Sequence, residues 1–287
     1  MNSSFIKTSI KASIKTICSI FMVILYLSSN VSIAFPQNSL RAGGLAILPV
    51  APSQSRKPVV RYHSRAVALV KGRSNWLAII GISLKTKAGT EKIIIKNASG
   101  KTHTKYFKVK PYHYRTQRLS IKNKNKVNPN KKSQQRINRE FFLKQKLKTS
   151  FSNRPPHLNF IKPTAGRDSG RFGLKRILNK QKRSPHSGMD IAAPSGRKVK
   201  AAATGKVLFT GNLFFTGNVV YLDHGNGLIS LYAHLSKILV KKGQNVKQGE
   251  IIGRVGKTGR VTGPHLHWSV YLNGNAIDPA LFIKNKQ

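Results

Sequence analysis

His186 and Asp190 in PHSGMD, with His265 and His267 in GPHLHW, are the residues of this chain whose types and spacing could do chemistry. Imidazole and carboxylate groups hold a zinc ion while leaving one coordination position open for water. A spacing of four puts His186 and Asp190 on the same side of either a strand or a helical turn. A spacing of two puts His265 and His267 on one face of a strand. Asp and Glu together number only 7 in 287 residues, so an aspartate beside a histidine is less expected to be idle surface charge. The chemistry implied is metal-assisted hydrolysis.

Strands must position these groups. Read as a strand, residues 265–271 place His265, His267, Ser269 and Tyr271 on one face and Leu266, Trp268 and Val270 on the other. The same alternation over residues 228–234 places Ser230, Tyr232 and His234 on one side, with Ile229, Leu231 and Ala233 opposite. Two such strands could offer three imidazoles to one cleft, with Tyr232 either lining it or packing. A single strand histidine is ordinarily a satisfied side chain, so the conjunction carries the argument. A closed structural zinc site usually has four protein ligands, often thiolates. His224, in Asp223-His224-Gly225-Asn226-Gly227, reads as a turn residue.

The whole chain is expected to be mostly β. Residues 161–287 read as an antiparallel, barrel-sandwich-like catalytic domain. Its strands fall near 199–210, 218–223, 228–234, 250–255 and 265–272, between glycine turns, with no helix beyond two turns. Residues 240–250 resemble hairpins of lipoyl and biotinyl carrier domains but lack the setting of an attachment lysine, so the similarity is architectural. Residues 43–115 read as a small β domain after a loop at 35–42, with His63, His103 and His113 scattered in surface or packing roles. Residues 116–160 read as a basic connector, helical from about Lys132, where Ile137 and Phe141 stand four apart. Glu140 is the one acid of its basic run, and Pro155-Pro156 marks its end.

Lys and Arg number 52, for a formal net charge of +45. Such a field favours anionic partners without naming one. The first 34 residues supply a basic start (Lys7, Lys11, Lys15), a short apolar run, and Ser32-Ile33-Ala34 as a small-x-small cleavage site, which is the pattern of a signal peptide. The apolar run falls short of the ~20 residues that span a bilayer, so membrane attachment is expected only if this segment stays uncleaved. The single cysteine, Cys18, lies within it, so any mature metal site must be built from nitrogen and oxygen. Export to the periplasm or cell envelope makes nucleic acid an unlikely partner. Anionic envelope polymers could engage the connector.

The stretches PHSGMDIAAPSGRKVKAAATGKV, YAHL and TGRVTGPHLHW resemble the lysostaphin/LytM-type zinc endopeptidases of the bacterial cell wall. Gly170-Arg171-Phe172-Gly173 resembles that family's run into its active site, and the upstream β domain resembles, more weakly, a prefix domain of exported members. The resemblance implies one Zn2+ held by His186, Asp190 and His267, with His234 and His265 as the catalytic pair. It implies an exported endopeptidase acting on peptide cross-links of peptidoglycan. On this reading His265 positions or deprotonates water and His234 stabilises the oxyanion or protonates the leaving amine, with the two roles exchangeable. The alternative is a non-enzymatic, wall-binding activator of other hydrolases on the same fold.

Overall fold

A computed structural model of the protein describes residues 36–283. The expected signal segment and Cys18 lie outside the described residues. The fold is mostly β, with antiparallel sheets. Among the described residues no helix is long and apolar enough to cross a membrane.

The sheet that matters for the site runs in the spatial order Asn245–Val246, Gly205–Leu213, Gly217–Asp223, Leu228–Leu235, His265–Leu272, Met189–Ala192, Arg167–Gly170. Every neighbouring pair in it is antiparallel. Leu228–Leu235 and His265–Leu272 are central and buried along almost their whole length, so they are rigid carriers for functional side chains. A smaller sheet, Lys198–Lys200, Ile251–Arg254 and Lys237–Ile238, closes over one face. The core between them contains Trp268, Tyr232, Leu266, Val220 and Ile252.

Residues 199–210, expected as one strand, are two. Lys198–Lys200 and Gly205–Leu213 belong to different sheets, and the chain crosses between them at Ala201, Ala202 and Ala203, each at most 1% exposed. Three small side chains let the backbone pass through a packed interior.

Upstream, Leu45–Pro52, Asn75–Gly81 and Ala68–Lys71 form one sheet, and Arg65–Ala66, Val59–Tyr62, Gly89–Lys96 and Thr102–Val109 another. Strand alternation divides the first sheet between two interiors. Leu45, Ala68 and Ile79 join the core of the large sheet, while Ala46, Ala78 and Ile80 pack among the upstream strands. The Gly81 N–H donates to Asn273 Oδ1 at 2.7 Å, and Asn273 Nδ2 donates to Gly81 O at 3.1 Å, joining the two regions.

The basic stretch that follows supplies one strand to a separate three-stranded sheet and lays its helix against the large sheet. Thr116–Leu119 pairs in parallel with Lys175–Leu178. The helix Lys131–Lys148 begins at Asn130, whose side chain accepts from the Ser133 N–H at 2.9 Å, satisfying one orphan donor of the first turn. Arg136 holds Glu140 four residues on, at 2.7 Å. Both oxygens of Glu140 accept the Phe214 N–H, at 3.0 and 2.8 Å. The helix is thereby pinned beside the turn after Gly205–Leu213.

Candidate metal and catalytic site

Asp190 lies directly opposite His267, and Ala192 opposite His265, in the ladder between Met189–Ala192 and His265–Leu272. Opposed residues share a face, so Asp190 and His267 meet at the surface of the sheet. His186 arrives from the loop before Met189–Ala192. Its Nε2 is 3.0 Å from Asp190 Oδ1 and 3.0 Å from His267 Nδ1, and the latter two atoms are 2.8 Å apart. Ligand atoms on tetrahedral bonds of about 2.05 Å stand about 3.3 Å apart, so the three donors form a triangle close to that of a zinc cage. All three residues are buried. Gly188 permits the approach, since a Cβ there would lie 2.5 Å from Ser269 Oγ and 2.8 Å from His267 Cε1.

Each imidazole is aimed by a bond to its other nitrogen. His186 Nδ1 is 2.8 Å from Arg171 O. A carbonyl only accepts, so this nitrogen carries a proton and Nε2 is the one turned toward Asp190 and His267. The same logic applies to His234 Nδ1 against Thr258 O at 2.7 Å and to His265 Nδ1 against Gly263 O at 2.9 Å. His267 Nε2 is held 2.9 Å from Ser269 Oγ, leaving Nδ1 to face Asp190. The His234 ring centroid is 4.9 Å from that of His265 and 5.9 Å from that of His267. The five residues singled out from the sequence are therefore gathered at one place.

His234 reaches that place by a route strand alternation does not show. The register sets Leu231 opposite Ser269 and Ala233 opposite His267, so Ile229, Leu231 and Ala233 share the face of the site. Ser230 and Tyr232 point into the core. Tyr232 is 0% exposed, and its hydroxyl oxygen accepts the Ala202 N–H at 2.8 Å. This corrects the expectation that Ser230 and Tyr232 accompany His234. His234 itself has φ 63°, a left-handed conformation rare for residues other than Gly, Asn and Asp. That turn ends the alternation and brings its ring to the side of His265 and His267.

Arg176 was not marked by any spacing. Its Nη2 donates to Asp190 Oδ2 at 3.0 Å, which leaves Oδ1 for the histidine triangle. His224 occupies the expected turn, but its side chain is wholly buried, with Nδ1 2.8 Å from Thr204 O and Nε2 2.7 Å from Ser230 Oγ. His63 is an exposed partner of Glu91 at 2.9 Å.

Burial alone would push the Asp190 carboxyl up, but its bonds to His186 and His267 outweigh this and hold it well below the usual carboxylate range. Burial lowers His267 to about 4, against the opposing pull of Asp190. Burial likewise holds His234 well below the ordinary histidine value, with His267 and His265 adding to the effect. An anionic Asp190 beside a His267 that burial keeps neutral is the protonation state a cation-binding site requires.

The site lies in a groove of ≈ 670 Å³. His186, His234 and His267 line one side, and Ile137, Phe141, Lys144 and Lys148 of the helix line another. The basic stretch thus forms a wall of the candidate site.

The model for peptidase family M23 matches residues 184–279, and the model for the peptidase family M23 N-terminal domain matches residues 38–111. Peptidoglycan DD-endopeptidase ShyA of Vibrio cholerae is 46% identical over 113 residues, which are 39% of this chain and 26% of that protein. DD-carboxypeptidase/endopeptidase Mpg of Neisseria meningitidis is 49% identical over 94 residues, 33% of this chain and 22% of that protein. The matched stretch thus spans about a quarter of the length of these curated relatives. A crystal structure from Pseudomonas aeruginosa, described as a peptidase M23, is 37% identical with a TM-score of 0.72, covering 85% of this chain and 95% of that one.

Proposed function

The chain belongs to peptidase family M23, and on that premise we propose that it is an exported, zinc-dependent endopeptidase hydrolysing peptide cross-links of bacterial peptidoglycan. The observation that carries this reading is the buried triangle of His186 Nε2, Asp190 Oδ1 and His267 Nδ1, with two further imidazoles beside it. Three nitrogen and oxygen donors fit zinc with a position left open. Zinc, when bound there, supplies Lewis acidity that polarises a carbonyl and makes water more acidic.

The remaining work falls to His234 and His265. With Nδ1–H committed to a carbonyl, either ring, when neutral, offers a lone pair at Nε2 and cannot donate from it until it has taken a proton. Two acceptors side by side hold both hydrogens of a water molecule and turn its oxygen lone pair toward the substrate carbonyl. His265, the less buried ring, takes the proton at Nε2 and returns it to the leaving nitrogen. Burial keeps His234 an acceptor through the neutral range, which favours an orienting role for it over the oxyanion role expected from the sequence.

A complete set of five residues favours hydrolysis over the non-enzymatic alternative. The test is peptide release from isolated sacculi by the purified mature protein, with chelator stopping it and zinc restoring it. A protein that binds no zinc and releases nothing would leave the activator reading in its place.

A further inference from the structure

In a chain of net charge +45, exposed lysines carry no message, but half-buried cations without partners do. The groove is lined by Lys144 and Lys148 of the helix and by Arg176, Arg183 and Arg260; among the described residues no acid lines it, and Asp190 meets it through Arg176. Of these five cations, Arg176 alone makes an ion pair among the described residues, with Asp190. Arg176 Nε is nonetheless buried with no hydrogen-bond partner. Arg183 spends its guanidinium on Lys182 O, Val127 O and Gln181 Oε1.

Arg260 and Lys144 are the ones left over. Arg260 lies over the Phe215 ring, 4.4 Å from its centroid, and reaches only Lys126 O, at 3.4 Å. Most of its five donors make no hydrogen bond to the described protein residues and are free to meet a ligand. Burial lowers its basicity to about 10, and Arg176 and Arg183 add to the effect. Lys144 is lowered first by burial, against an upward pull from Glu140, with Lys148 and Arg260 adding to the lowering. Glu140, one turn before it, is committed to Arg136 and the Phe214 N–H. Lys148 stands 5.0 Å from the Tyr271 ring centroid. Withdrawing like charges from water beside one another is costly unless a counter-charge arrives.

We infer that Arg260, Lys144 and Lys148 form an anion subsite that binds a carboxylate of the peptide substrate, beside the site of hydrolysis. The subsite rests on the endopeptidase reading and adds its substrate class: an acidic peptide whose free carboxylate faces the helix. A planar guanidinium stacked on an aromatic ring is well suited to bidentate carboxylate recognition. The basic helix is then part of the substrate-binding wall.

The test compares a synthetic branched, cross-linked peptide carrying free carboxylates with its fully amidated twin. Binding is followed by calorimetry on protein stripped of metal, and hydrolysis on zinc-loaded protein. The acid peptide should bind roughly tenfold or more tightly than the amide, the size of one charge-assisted hydrogen bond, and added salt should erode that advantage. Lys144→Gln and Arg260→Gln should each shrink the preference. The salt series on the parent decides the matter if a variant misfolds. Equal, salt-independent binding of both peptides by the parent, or an undiminished preference in folded variants, overturns the subsite. Preferential binding without any cleavage would instead sink the endopeptidase reading and leave the subsite standing.

Discussion

Asp190 and His267 face each other across an antiparallel ladder, with Asp190 Oδ1 2.8 Å from His267 Nδ1. Ala233 flanks His267 on its other side, so the strand bearing the central imidazole has the carboxylate on one side and a small side chain on the other. The second carboxylate oxygen is held by Arg176 at 3.0 Å. Backbone pairing, and not a flexible loop, sets the distance between two of the three donors.

Arg176→Met should therefore weaken zinc binding by about 10–100-fold, the usual cost of losing a group that orients a ligand. Asp190→Asn, which removes the anionic donor itself, should cost more. Competition with a chromophoric chelator measures both, and circular dichroism checks that the fold persists. Equal zinc affinity in the parent and Arg176→Met would show that Arg176 does not orient the carboxylate.

His234→Asn and His265→Ala should each retain zinc and lose activity by about 10²–10⁴-fold, the range for removing a proton-handling group. Asn suits position 234 because it tolerates the left-handed backbone, where an alanine would cost roughly 1–2 kcal/mol. Zinc content and peptide release are measured on the same preparations. Loss of zinc in either variant would move that histidine into the ligand set.

Much of the site was legible in the sequence because period-two alternation is local. His265, His267, Ser269 and Tyr271 share a face as the spacing predicts, and the helix begins at Lys131, one residue from the expected start. The side of the sheet to which residues 228–235 turn was not legible, because register is a tertiary choice and a one-residue slip exchanges the faces. The left-handed φ of His234 and the ion pair of Arg176, 14 residues from Asp190, leave no mark in residue spacing. The role of the basic helix as a groove wall depends on Glu140 capturing the Phe214 N–H, a contact spanning 74 residues.

Tyr232→Phe separates a core tyrosine from one that lines the groove. The Ala202 N–H would lose its acceptor in a buried place, costing about 1–3 kcal/mol. Activity at temperatures where the variant is folded should match the parent. Urea unfolding and sacculus digestion check the two halves, and a fall in activity without loss of stability would return Tyr232 to the groove.

His224 makes the protein acid-sensitive at a point remote in role from hydrolysis. Its Nδ1–H donates to Thr204 O and its Nε2 accepts from the Ser230 hydroxyl, so the folded state holds the neutral ring. Burial lowers its pKa from 6.5 to about 4, against weaker upward pulls from Thr204 and Asp223. Between those values the unfolded chain binds the proton and the folded chain does not, so stability falls as pH falls. The contribution is complete above about pH 6.5, declines through the interval and is spent near pH 4. The shift corresponds to about 3 kcal/mol at most. Urea unfolding at a series of pH values should show the parent losing about that much more than His224→Gln between pH 7 and pH 4, because carboxylate titration is common to both. Parallel profiles would mean that the imidazole is already protonated when folded, with the Ser230 hydroxyl turned to accept from it.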